Sequence, residues 1–381
     1  MTTLALCNAV VLSDRGFEEG QTVVIRDGLI HAVVDDGELG LNGAEERDLG
    51  GQLLLPGYID LQVNGGGGVM FNDEPSVEGI RRIAAAHRAY GTTGLLPTLI
   101  SDDLDKLAVA IAAVDDAIKQ GVPGVLGIHV EGPFLNAEKK GVHDPGKFQV
   151  LDEDAIGLLT SLKHGKTLVT LAPETNAPEL IHQLVEAGVI VAAGHTNGTY
   201  DQVRAGLDAG ISGFTHLFNA MSPLASRAPG AVGAALDDDK SWCGLIVDGH
   251  HVHPATLRIA IASKPAGRCL LVTDAMSCVG ADGKTFEFDG QPITVAEGRC
   301  VTADGTLAGS NLDMASAVRN AVGMLSLDAA EAVRMASEYP ASAMCLDDTL
   351  GRIEVGHRAN LVLADHELNV VDTWIEGSSM Q

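Results

Sequence analysis

Three side chains with metal-binding chemistry each close a separate apolar run. Glu131 follows Ile128-His129-Val130, His195 follows Ala192-Ala193-Gly194, and His216 follows Gly213-Phe214-Thr215. One carboxylate and two imidazoles form the donor set of an open catalytic zinc site, in which the fourth position is left to water. A further acid, Asp274, ends the run Leu271-Val272-Thr273. A carboxylate there is costly unless paired or used. Its ordinary use is as a helix N-cap. Its chemical use is as a general base that takes a proton from the attacking water and returns it to a leaving amine. His143 lies in the loop just past Glu131, where a histidine is commonly just solvated but could polarise a substrate carbonyl near the metal. Taken singly, a strand-end histidine is more often a hydrogen-bonded structural residue than a ligand. The three donors together predict a hydrolase with one divalent metal ion, Zn2+ by ligand type, with Fe2+, Mn2+ and Co2+ as alternatives.

Such donors can meet only if their strands converge. From about 56 to 347, apolar β-prone runs at 59–63, 95–100, 125–130, 168–171, 189–193, 213–215, 244–247 and 269–273 alternate with Ala-rich amphipathic stretches at 77–90, 104–119, 178–187 and 199–209. Continuous apolar strands separated by helices imply a parallel sheet covered on both faces. Eight of them fit an α/β fold of the (β/α)8 barrel type, whose active sites lie at the strand C-termini. Gln62 and Asn64 then belong to strand 1, Glu131 to strand 3, His195 to strand 5, His216 to strand 6, His251 to strand 7 and Asp274 to strand 8. An extra hairpin is expected at 286–301. Residues 1–55 and 348–381 share a different texture of short β runs broken by Gly and Asp, with Arg26-Asp27-Gly28 as a hairpin signal. They are expected to form one small β-sandwich domain beside a catalytic barrel at 56–347.

With 25 Lys and Arg against 51 Asp and Glu, the net charge is −26. That acidity makes nucleic acid and anionic membrane poor partners. It also means that a phosphorylated substrate needs a local basic pocket. Arg227 and the Lys139-Lys140 pair are the available anion binders, and arginine holds phosphate through paired hydrogen bonds. The six cysteines show no C-x-x-C spacing, which fits reduced thiols in the cytoplasm. No leader-like or membrane-spanning run is evident. The glycines at 65–68 lack the pattern of a dinucleotide fingerprint and read as a flexible loop.

The chain resembles the N-acetylglucosamine-6-phosphate deacetylase family of the amidohydrolase superfamily nearly end to end. The likeness is carried by Pro56-Gly57-Tyr58-Ile59-Asp60-Leu61-Gln62-Val63-Asn64, His129-Val130-Glu131-Gly132-Pro133-Phe134, Lys140-Gly141-Val142-His143, Gly194-His195-Thr196, Thr215-His216-Leu217-Phe218-Asn219-Ala220-Met221, Asp248-Gly249-His250-His251, Val272-Thr273-Asp274-Ala275 and Leu307-Ala308-Gly309-Ser310. The resemblance implies that Glu131, His195 and His216 hold the metal and that Asp274 and His143 are catalytic. It implies that Val142, Asn219, Ala220 and the loop Leu307, Ala308 and Gly309 line the sugar site. Arg227 and His251 would bind phosphate and sugar, partly across the interface of a homodimer or higher homo-oligomer. The implied reaction, in amino sugar catabolism and recycling, converts N-acetylglucosamine 6-phosphate to glucosamine 6-phosphate and acetate. The related N-acetylgalactosamine 6-phosphate is the alternative substrate, since nothing in the sequence reads the C4 epimer.

Many amidohydrolases carry His-x-His after strand 1, completing a two-metal centre. Here Gln62 and Asn64 stand in that place, and neutral amides are poor zinc ligands beside imidazole. One tightly held metal is therefore expected, with Gln62 and Asn64 assigned to the substrate site. A non-catalytic protein on a retired barrel would be expected to have lost one of Glu131, His195, His216 or Asp274, and all four are present.

Overall fold

The computed structural model describes residues 3–37, 43–283 and 285–380; positions 1–2, 38–42, 284 and 381, including part of the expected N-terminal β domain, lie outside the described residues. Eight parallel strands form one sheet in sequence order. They are β1 (Tyr58–Val63), β2 (Thr92–Ile100), β3 (Gly127–Glu131), β4 (Lys166–Leu171), β5 (Ile190–Ala193), β6 (Gly213–Phe214), β7 (Trp242–Leu245) and β8 (Cys269–Leu271). Nearly every residue in them is buried, as expected of strands covered on both faces. β6 is two residues long, and its Gly213 packs against the Trp242 ring; a Cβ at Gly213 would fall 2.0 Å from that ring.

The barrel closes between β8 and β1 just beyond their C-terminal ends. Val63 bridges Ala275 in parallel, the Asp274 amide donates to the Gln62 carbonyl at 3.0 Å, and the Asn64 amide donates to the Ala275 carbonyl at 2.9 Å. Lower in the same seam the Thr273 hydroxyl donates to the buried Asp60 carboxylate at 2.5 Å. The helices between strands run close to their sequence-read bounds. Leu104–Lys119 has the expected ends, and Tyr200–Asp208 opens on a capping box in which Thr199 and Gln202 satisfy each other's backbone amides.

Strands from both chain ends form a second, eight-stranded sheet. In it Leu53–Pro56 pairs antiparallel with Leu361–Ala364 and parallel with Thr3–Ser13. Asp27 and Gly28, both at positive φ, make the tight turn between Gly16–Arg26 and Leu29–Asp35. One face of this sheet encloses a core of Leu6, Val23, Ile30, Leu54, Leu361 and Trp374. From its other face, Leu53, Leu55 and Val362 join the barrel's own apolar core. The expected late hairpin is instead a four-stranded antiparallel sheet: Thr285–Phe288, Gln291–Ala296, Arg299–Val301 and Leu307–Ser310. The fourth strand continues the hairpin back to the barrel, where Ser310 bridges Ala275.

Burial raises the Asp60 carboxyl to about 7, against the pull of the Thr273 hydroxyl. A carboxyl with a folded pKa above its unfolded value binds more protons when folded, so its contribution to stability is fully present below about pH 4 and is lost as pH rises toward 7. Denaturant unfolding of wild type and Asp60→Asn at pH 5 and pH 8 should show wild type losing more stability over that interval. Parallel losses in both proteins would contradict this role for Asp60.

Candidate metal centre

The sequence-read donors converge at the C-terminal mouth of the barrel. Glu131 is the last residue of β3, His195 lies two residues beyond β5, and His216 lies two beyond β6. Glu131 Oε1 lies 3.0 Å from His216 Nε2 and 3.3 Å from His195 Nε2, and the two Nε2 atoms are 3.1 Å apart. All three residues are buried. His195, His216 and Asp274 have φ of 46°, 32° and 53°, the left-handed region that side chains other than glycine rarely adopt. Such conformations persist where the surrounding structure enforces them and cluster at functional sites. Here each turns its residue off the strand direction toward the barrel axis.

The donor set fits a metal. His195 Nδ1 lies 2.7 Å from the Lys139 carbonyl and donates to it, which leaves the Nε2 lone pair free. Two imidazole nitrogens and a carboxylate oxygen facing one another repel unless a proton or a cation lies among them. A tetrahedral ion bound at about 2.0–2.1 Å would set its donors about 3.3 Å apart, close to the observed spacing. Without a cation, protons take its place. Burial pushes the Glu131 carboxyl up, but hydrogen bonds from His195 and His216 outweigh it and hold the group well below the usual range. Burial pushes His216 down, and the bond to Glu131 outweighs that and raises it.

Asp274 lies beside this set. Its Oδ1 accepts from Asn64 Nδ2 at 2.7 Å and from Gln62 Nε2 at 3.1 Å; the same Gln62 nitrogen lies 3.0 Å from Glu131 Oε1. Burial, and then the Glu131 charge, raise the Asp274 carboxyl to about 6. Below the site the barrel interior is polar: His129 Nε2 lies 2.8 Å from Thr170 Oγ1, which lies 2.6 Å from Thr215 Oγ1. Burial pushes His129 down to about 4, so it is neutral there.

A cavity of about 420 Å³ opens onto these groups. Its wall includes Glu131, His143, His195, His216, Asp274, Asn64, Val142, Asn219, Ala220, His251, Leu307 and Gly309, all assigned to the site from the sequence. Gly309 has φ +58°, and a Cβ there would lie 2.6 Å from Met276 Sδ and 2.9 Å from the Asp274 carbonyl. The strand Leu307–Ser310 can thus pass this close to Asp274 only with glycine at that position. His251 is oriented by Asp248, with its Nδ1 2.6 Å from Asp248 Oδ2.

Four residues singled out in the sequence do not place their side chains on this cavity's wall. Gln62 is buried beneath the cavity as a bridge between Glu131 and Asp274 rather than part of its wall, because its side chain points into the barrel. The Ala308 side chain alternates away from the cavity into a small core with Met276, Phe288 and Ile293. Arg227 is exposed on the 223–229 loop, makes no hydrogen bond or ion pair among the described residues, and does not line this cavity. Lys139 contributes its backbone carbonyl, not its charge. Sequence reasoning missed Ser101, Asp248, Ile100, Met276 and Thr306. Only Asp248 had a signal, as an acid three residues before His251.

Fold and site together define a metal-dependent hydrolase of the barrel type. The Amidohydrolase family matches residues 53–380, and the chain belongs to that family. Among its relatives, an N-acetylgalactosamine-6-phosphate deacetylase of Shewanella sp. (strain ANA-3) is 45% identical over 85% of this chain and 82% of that one. An N-acetylglucosamine-6-phosphate deacetylase of Haemophilus influenzae is 37% identical over 98% of both chains. The crystal structure of N-acetylglucosamine-6-phosphate deacetylase from Pasteurella multocida superposes with a TM-score of 0.95 at 37% identity, covering 99% of each chain.

Amides occupy the places where a second metal would need imidazoles, so metal analysis of the purified protein should give close to one tightly held equivalent per chain. His195→Ala and His216→Ala should each lose it. Two tight equivalents in the wild type would contradict the single-site reading.

Proposed function

We propose that this chain hydrolyses the acetamide of N-acetylglucosamine 6-phosphate, giving glucosamine 6-phosphate and acetate. The observation that carries the proposal is a buried carboxylate, Asp274, facing the same cavity as the three-donor set. Near-full-length relatives that bear deacetylase names support the substrate class. Glu131, His195 and His216 would hold one divalent ion, zinc by donor type, which when bound supplies Lewis acidity toward the amide carbonyl. Asp274 Oδ1 is occupied by Asn64 and Gln62, so Oδ2 is the atom that takes the proton of the attacking water and later passes it to the departing nitrogen. His143 donates to the carbonyl oxygen and stabilises the charge that develops there. His251, held by Asp248, and the cavity strand Leu307–Ser310 contact the sugar. Arg227 lies outside its own chain's cavity, which suits a phosphate contact reaching a second subunit of a homodimer. The six free cysteines suit a reducing, cytoplasmic setting. Among the described residues no helix is long and apolar enough to cross a membrane.

A second reading, N-acetylgalactosamine 6-phosphate as the preferred substrate, is favoured by the 45% identity to the Shewanella enzyme of that name. Acetate release from both phosphosugars, with and without chelator, tests the proposal. Chelator-sensitive turnover of at least one is expected, and their kcat/KM ratio decides between the readings. No acetate from either would overturn both.

Asp274→Asn should retain metal and substrate binding and lose about 10²–10⁴-fold in kcat. The wild-type profile should show an acid limb at or below about pH 6, since Asp274 must be ionised to act as a base and a bound cation offsets the Glu131 charge that raises it. Unchanged turnover in the variant, or a limb above pH 7, would remove Asp274 from this role.

A further inference from the structure

The C-terminal end of β2 carries no group that the reaction above uses, yet it directs a side chain into the site. Ser101, the residue after Ile100, is buried, and its Oγ lies 2.7 Å from His143 Nδ1. Its backbone amide points at the same ring nitrogen from 3.4 Å. We propose that Ser101 is a positioning residue that holds His143 in the Nε2–H tautomer, so that the ring presents a donor to the acyl carbonyl; this rests on the deacetylase reading.

The reasoning turns on which groups can exchange roles. A hydroxyl can donate or accept, and a neutral imidazole has one nitrogen of each kind. A backbone amide only donates. The amide favours the ring nitrogen it faces as the acceptor, which places the ring proton on Nε2. With Nδ1 fixed as acceptor, the Ser101 hydroxyl donates to it as well. The hydroxyl's other acceptor, the Glu131 carbonyl, is farther away at 3.3 Å. Two donors from one residue thus converge on Nδ1. Nε2 has no protein partner among the described residues, and His143 lines the cavity.

The chemical need is specific. The carbonyl oxygen of an amide is an acceptor, and its charge grows in the transition state. With the proton on Nδ1, the ring would turn a lone pair toward that oxygen and oppose the reaction. The loop bearing His143 sets where the ring sits, since the His143 amide donates to the Lys140 carbonyl. Ser101 sets which way its proton faces.

Histidine tautomers are directly observable in solution. Long-range 1H–15N correlation spectra of the zinc-loaded full chain report them, with the His143 signals assigned by comparison with His143→Gln. The expected result is Nε2–H in the wild type and a clear rise of the Nδ1–H form in Ser101→Ala. That variant should also lose about tenfold in kcat with KM changed by less than about twofold. Ser101→Thr, which keeps the hydroxyl, should restore both readouts. An Nδ1–H ring in the wild type would overturn the proposal. So would a Ser101→Ala protein with the wild-type tautomer, whatever its rate, or one with a shifted tautomer and full kcat. The spectra need no substrate, so they decide the point even if the wild type releases no acetate from either phosphosugar and the deacetylase reading fails.

Discussion

The structure depends on holding three electron-rich atoms where they would not stay unaided. Glu131 Oε1 and the Nε2 atoms of His195 and His216 lie within 3.0–3.3 Å of one another in a buried site. Each is anchored on a different strand, so their approach is set by the whole β3-to-β6 arc of hydrogen-bonded sheet rather than by any local turn. The backbone accepts left-handed conformations at His195, His216 and Asp274 to aim them inward. The energetic cost of these conformations is borne by the apolar layers between strands and helices and by the seam that ties β8 to β1.

Around that cluster the polar groups form a hierarchy of support. Gln62 joins Glu131 to Asp274, Asn64 shares the Asp274 oxygen, the Lys139 carbonyl fixes the His195 ring, and Asp248 fixes His251. The reactive carboxylate thus reaches the cavity with one oxygen already committed. The result is a site whose charges are arranged before any ligand arrives, which is the condition for strong electrostatic assistance.

Much of this was legible in the sequence because burial on both faces leaves a plain mark. Eight apolar runs of strand length alternating with amphipathic stretches specify a covered parallel sheet, and a polar residue just past such a run stands out. That is why Glu131, His195, His216 and Asp274 could be picked out before their contacts were known. What stayed hidden has equally physical causes. Serine after a strand is commonplace, so Ser101 carried no signal. The direction of Gln62 depends on the twist of β1, which a period-two reading does not supply. The strand Leu307–Ser310 was not recognised, so the alternation that turns the Ala308 side chain away from the cavity was not legible. Arg227 was legible as a charge but not as a loop that points away from its own chain's cavity.

The four-stranded antiparallel sheet between β8 and the last helices has a different relation to the barrel from every other wall of the cavity. Its strands pair with one another, and it meets the barrel where Ser310 bridges Ala275, where Gly309 passes Asp274, and where Phe288, Ile293 and Cys300 pack with Met70, Ile100 and Met276. Changes at its outer positions, around Gly305 and Thr306, can reshape the roof of the cavity without disturbing the charged cluster on the floor. In such a division of labour, ligand preference can drift among descendants of one ancestor while the bond-breaking apparatus is inherited intact.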